Sequence, residues 1–265
     1  RTTFGYRVSV LLATRGGGGQ NSLGPETGDE LERIRTLETE AGCSLAGASA
    51  RYLNLPDGGY RRSATETFAE WGRQGTLRDL VRTIRTLRPD AVLTTHHAEE
   101  PHGHDQALVE LLPEAVRLAA DPSFAVGPDV PPHTVVAFYL GGDVAPRHRL
   151  LEVDAERLEP WRGSPLRRTA YEILAGTHVS PGPPAPIEAV FDPVLRLEPT
   201  PLAGETIARD AILRLPSVFD ASLWPWSPER ADRLRAALER ELPQQALAPT
   251  AAPVAALADA LIELR

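Results

Sequence analysis

Along the first 140 residues the chain alternates short apolar runs with longer stretches whose apolar residues recur every three or four positions. Residues 6 to 13, YRVSVLLA, are a short apolar run closed by TRGGGGQN, which predicts a buried strand followed by a turn. Leu31, Ile34, Leu37, Ala41 and Leu45 then follow helical spacing, with Asp29 and Glu30 in the first turn and Gly42 and Gly47 as stop signals. RYLNL at 51–55 reads as a second strand, closed by PDGGY. From about 64 to 88, Leu77, Leu80, Val81, Ile84 and Leu87 predict one long helix ended by Pro89. AVLTT at 91–95 and TVVAFYL at 134–140 read as further strands. Between them, Leu108, Leu111, Leu112, Ala115, Leu118 and Ala119 mark a helix over 105–120.

Strand and helix thus alternate with connections long enough for crossovers. The economical solution is an α/β, Rossmann-like fold: a mostly parallel sheet with helices on both faces. Past residue 141 prolines become frequent; LLEVD and IEAVFDPVLRL look like strands around a helix near 164–175. Ser227, Pro228 and Glu229 start a helix with Ala231, Leu234, Leu238 and Leu242 as its stripe, and Val254, Leu257, Ala258 and Leu261 predict a last one. The expected organisation is an α/β domain over 1–215 and a C-terminal helical annex over 216–265.

Charge narrows the function. The chain has 36 acidic against 28 basic side chains, a formal charge of −8, and no basic run, which excludes the electrostatic footprint of a nucleic-acid binder or a polybasic membrane anchor. No apolar stretch approaches the length of about 18 residues that a membrane span requires. RTTFGYRVSV carries Arg within a strand-like pattern, unlike a signal peptide, so a soluble, cytoplasmic chain is expected. The lone Cys43 removes internal disulfides and cysteine-rich zinc folds from consideration. All the basic residues are Arg, which reads as the codon bias of a GC-rich, bacterial genome. The absence of Met, even at position 1, leads us to expect a natural start upstream.

Chemistry concentrates directly after the third strand. In TTHHAEEPHGHDQ, residues 94–106, His96, His97, His102 and His104 fall beside Glu99, Glu100 and Asp105. Ligands in open α/β sheets bind at the carboxyl ends of strands, and imidazole with carboxylate but no thiolate suits zinc or another first-row divalent ion. The pattern equally describes a solvated polar loop, since no HExxH-type spacing is present. TRGGGGQN at 14–21 permits close backbone approach. It does not lead straight into a helix, so a pyrophosphate site is not set up, and a nucleotide-sugar transferase is disfavoured.

Taken in order, several segments resemble the LmbE-like, or PIG-L, family of zinc-dependent N-deacetylases. They are TRGGGGQNSLGPETGDEL at 14–31, IRTLETEA at 34–41, DGGYRRSATETFAEWG at 57–72, RPDAVLT at 88–94 and HGHDQA at 102–107. PSVFDASLWPW in the tail is similar to larger bacterial members. The resemblance implies a hydrolase in which zinc activates a water against the acetamide of a glucosamine-type saccharide, a small-molecule N-acetylated sugar. It implies His102 as the catalytic residue that stabilises the oxyanion, Asp105 as a metal ligand with His104 as its neighbouring substitute, and Arg15 and Asp57 as sugar contacts. Arg35 and Glu38 are expected to form an i,i+3 helix pair; His96 and His97 match nothing in the pattern. Three departures stand out. The family's AHPDDE segment, source of a base and two ligands, is absent and would align before Arg1. Asp105 occupies the position of a ligand His, and Gly17 that of an acidic residue. The alternative is therefore a catalytically inactive member acting as a carbohydrate-binding or interaction module, with the zinc lost.

Overall fold

A computed structural model of the chain describes residues 7–127, 129–141, 150–152, 156, 158–159, 163–184 and 194–198. The expected annex at 216–265, with its two helices, lies outside the described residues.

The strand β1, Val8–Leu12, pairs in parallel with β2, Ala48–Tyr52, in a register running from Val8 opposite Ala48 to Leu12 opposite Tyr52. The crossover between them is α1, Asp29–Leu45, which packs on β2. The β2 strand begins three residues before the stretch expected from RYLNL, because the chain turns straight out of α1 into the sheet. Its regular part ends where Asn54 takes a left-handed φ of 58°, although Leu53 and Leu55 still donate to the carbonyls of Leu12 and Ala13.

The single long helix expected over 64–88 is two helices, α2 (Ala64–Trp71) and α3 (Arg73–Leu87). Gly72 separates them with φ at 72°, a conformation that an L side chain resists and that breaks the hydrogen-bond ladder without loss of the apolar stripe. Ser63 caps α2 by accepting from the Glu66 amide, and Glu66 reaches back to the Arg62 amide. Strand β3, Ala91–Leu93, follows and pairs in parallel with β4, Ala137–Gly141. Between them lies α4, Gly103–Ala120, which begins two residues earlier than its apolar stripe suggests.

The described strands thus pair both ways. The parallel pairs β1–β2 and β3–β4 belong to the first 141 residues. Beyond them β5 (Leu150–Glu152) and β8 (Val194–Glu198) add antiparallel pairing in the order β3–β4–β8–β5, and a short hairpin of β6 (Leu158–Glu159) and β7 (Ser164–Pro165) precedes α5, Leu166–Thr177. The fold is α/β. Its core joins Leu77, Leu80, Val81 and Ile84 of α3 to Leu111, Ala115 and Val116 of α4 and to Phe138 and Leu140 of β4, with Leu11 and Leu53 packed against it. Both parallel pairs therefore rest on one apolar body.

Two buried polar contacts close the structure. Arg85 of α3, 4% exposed, donates to the carbonyls of Leu118 and Ala119 in the last turn of α4 and of Asp121 and Phe124 just beyond it, placing a cation at the helix C-terminus beside the backbone amides that Leu118, Ala119 and Asp121 also accept. Glu38 of α1 accepts the amides of Val179 and Ser180 and the Ser180 hydroxyl, tying α1 to the chain that leaves α5. Arg35 instead donates to the carbonyls of Gly16 and Gln20. The expected Arg35–Glu38 helix pair is thereby replaced by two tertiary contacts that point to different parts of the molecule.

Candidate metal centre

The loop that leaves β3 carries the histidine cluster, and α4 begins where it ends. Thr94 extends the strand by donating its amide to Tyr139, and its hydroxyl accepts from the His96 amide, which turns the chain. The loop returns against the start of α2. Gln106 fixes that return: its amide oxygen accepts from the Ala64 amide, and its amide nitrogen donates to the Glu100 carbonyl at 2.7 Å. Gly103 donates its own amide to the Arg61 carbonyl at 2.7 Å, and its Cα lies so close to the Ser63 backbone that a Cβ would collide with it. This close approach is what the glycine of HGHDQA provides.

His102 is the N-cap of α4. Its Nδ1 accepts from the His104 amide at 3.2 Å, so the neutral ring carries its proton on Nε2. The Tyr60 ring stands edge-on to it at 5.2 Å and the His104 ring lies 4.6 Å away. Asp105 sits within the first turn of the helix, where the amide dipoles favour a carboxylate.

His104 turns inward. It is 9% exposed, its ring packs on Trp71 at 4.6 Å, and its Nε2 is buried with no hydrogen-bond partner among the described residues. Burial pushes its pKa below the usual imidazole value. The charges of His102 and Arg61 act in the same sense, and the Asp57 and Asp105 carboxylates oppose them.

Asp105 meets a different imidazole. His96 Nε2 lies 3.5 Å from Asp105 Oδ1, and His96 Nδ1 lies 3.5 Å from Glu100 Oε1. The ligand atoms of His96, Glu100 and Asp105 all fall within 4.8 Å of one another, and each residue is half-buried. Two donors at zinc-ligand distance in a tetrahedral arrangement lie about 3.3 Å apart, so the more widely spaced of these atoms would have to close in around an ion facing one His96 nitrogen. One imidazole and two carboxylates suit a first-row divalent cation. Glu100 is further flanked by His97, whose Nε2 is 3.6 Å away.

The remaining expected residues divide. Asp57 accepts from the Thr14 hydroxyl and from the Gly59 amide, each at 3.0 Å, which latches the glycine loop after β1 to the turn after β2. It also lies near enough to influence His104, so Asp57, His102, His104 and Asp105 share one region. Arg15 faces α1 and β2 instead: its Nε donates to Asn54, its Nη1 donates to Thr36, and its guanidinium lies 4.0 Å over the Tyr52 ring. At Gly17 the space that an acidic side chain would fill is occupied by Glu32 of α1, whose Cγ would be 2.6 Å from an added Cβ. His96 and Glu100 are absent from the expected ligand set. Their membership in the dense imidazole–carboxylate run was the available signal, but spacing within an irregular loop does not encode which side chains converge.

The half-buried His96, Glu100 and Asp105 after β3 are a group that could hold a metal ion. Residues 1–116 match the family model described as PIG-L, GlcNAc-PI de-N-acetylase, so this part of the chain is similar to the PIG-L (LmbE-like) family. Among solved structures, the conserved protein TT1542 from Thermus thermophilus is 19% identical, with 74% of this chain and 82% of that chain covered and a TM-score of 0.46. GalB, the 4-carboxy-2-hydroxymuconate hydratase from Pseudomonas putida, is 21% identical, with 60% of this chain covered and a TM-score of 0.40. The chain spans only 57% of the length of that hydratase. The curated proteins contain no match. Among the described residues no helix is long and apolar enough to cross a membrane.

Proposed function

We propose that the protein is a zinc-dependent hydrolase that removes N-acetyl groups from glucosamine-type saccharides or glycoconjugates. The observation that carries this reading is the convergence of His102, Asp105 and a cluster of metal-binding side chains at the end of β3, within the segment that matches the de-N-acetylase family. A divalent ion held through Asp105 would polarise the amide carbonyl and make a bound water more acidic. His104 stands ready as a substitute ligand only through movement of its ring away from Trp71.

The capping bond from His104 leaves the His102 proton on Nε2, so the neutral ring can donate to an oxygen on which negative charge develops. Tyr60, 63% exposed beside that ring, offers an apolar face to a sugar. Asp57 orders the two loops that border the site, and Arg15 holds α1 against β2, so both support a sugar pocket chiefly by positioning its walls.

Asp105 stands where the resemblance puts a ligand histidine. That observation favours a second reading, a relative that binds an N-acetylated sugar without hydrolysing it. Acetate release from N-acetylglucosamine conjugates, measured with zinc on the product of the complete reading frame, separates the two. The hydrolase reading expects release, and replacing His102 by Gln is expected to slow it by about 100-fold or more. Saturable sugar binding with no acetate formed would select the binding module.

A further inference from the structure

We infer that His96, Glu100 and Asp105 form a complete three-ligand site for a divalent metal ion within the β3–α4 loop, with zinc as its preferred occupant. The inference deepens the proposed function, since that reading assigns only Asp105 and its neighbour His104 to the metal. It differs in a second respect: the site it describes draws on no residue upstream of Arg1.

The argument begins with charge. Two carboxylates, Glu100 and Asp105, are gathered around one imidazole, with His96 nitrogens 3.5 Å from an oxygen of each. A divalent cation held among them would neutralise both carboxylates. The first-turn amides of α4 favour the Asp105 carboxylate, but Glu100 precedes the helix and gains nothing comparable.

The donors are also held in place. The Thr94 hydroxyl accepts the His96 amide, Gln106 grips the Glu100 carbonyl at 2.7 Å, and Asp105 is carried on a regular helix. His97 Nε2 stands 3.6 Å from Glu100 Oε1, just beyond hydrogen-bond distance, so it borders the carboxylate without being counted among the ligands. Side-chain exposures of 38%, 19% and 30% for His96, Glu100 and Asp105 leave one face of the group open to solvent, as a site with three protein ligands requires. One nitrogen and two oxygens form a harder donor set than a histidine-rich one. Zinc is preferred to manganese by the general order of divalent affinities, and the margin is narrower than a histidine-rich set would give.

The test is zinc binding by the chelator-stripped 265-residue chain, followed by calorimetry and by the visible spectrum of a cobalt(II) substitute. The expected result is one ion per chain. His96→Ala, Glu100→Gln and Asp105→Asn should each weaken it by about 100-fold or more, at or beyond the 10- to 100-fold typical of outer partners, whereas His97→Gln should weaken it by about tenfold at most. The three ligands are partly exposed, and unchanged far-ultraviolet circular dichroism in the variants identifies loss of binding as loss of a ligand. Failure of the stripped chain to take up one ion overturns the inference, as does undiminished affinity in His96→Ala or Glu100→Gln. Acetate release plays no part in this result. A metal bound by these residues in a protein that forms no acetate would leave the inference standing and remove the hydrolase reading; acetate formed with binding insensitive to His96 would do the reverse.

Discussion

The four histidines that share nine positions in the sequence are told apart by what surrounds each ring. His102 spends one nitrogen on the start of α4 and keeps the other for donation. His104, two residues on, is inside, against Trp71, with its charged form disfavoured first by burial. That shift sets a sign for the pH dependence. The unfolded ring binds a proton near pH 6.5 and the folded ring only at lower pH, so its contribution to stability is present above about 6.5 and is lost as pH falls toward the folded value. Urea midpoints are expected to drop between pH 7.5 and pH 5.5, and the drop should be smaller in His104→Gln; an equal drop in both proteins would show that His104 is not its source. None of this is legible in HGHDQA alone, because the sequence places both rings at the same helix start without saying which one points inward.

Elements were legible wherever periodicity was long. The stripe Leu77, Leu80, Val81, Ile84 is buried as its spacing implies, and it packs on α4. Punctuation was harder to read. Gly72 divides one expected helix into two, since a glycine within a helical pattern can be tolerated or can break it, and here its positive φ breaks it. The same limit applies to Arg85, which the sequence presents as an ordinary cation near the end of a helix. Its burial against four carbonyls at the end of α4 makes it a cap supplied by a neighbouring helix. Arg85→Met, which keeps much of the volume but removes the donors, should destabilise the protein by about 2 kcal/mol in urea unfolding, since the carbonyls lose a charged donor while those of Leu118, Ala119 and Asp121 keep a backbone amide. A loss below about 1 kcal/mol would mean that water replaces the guanidinium.

At the scale of the whole molecule, the proposed metal site would couple ion binding to stability through the loop between β3 and α4. That loop is tied at once to the strand through Thr94, to α2 through Gln106 and to α4 through the His102 cap. An ion held by three of its side chains binds the folded state alone, so zinc at about 100 times its dissociation constant should add about 2.7 kcal/mol. Thermal unfolding monitored with and without zinc is expected to show this rise, and His96→Ala should abolish it; a rise of equal size in the variant would place the ion elsewhere.

The sequence by itself determined that the first 140 residues build an α/β domain and that the imidazoles and carboxylates gather after a strand, because period and local composition are properties of neighbouring residues. It also carried the family motifs, HGHDQA and the glycine loop among them. Only the tertiary structure decided that Glu38 reaches Ser180, 142 residues away, that Arg15 is engaged with Asn54 and Thr36, and that His96 and Glu100 join Asp105. Those outcomes depend on where an irregular loop or a distant turn brings a side chain, and that is set by packing between elements rather than by any period along the chain.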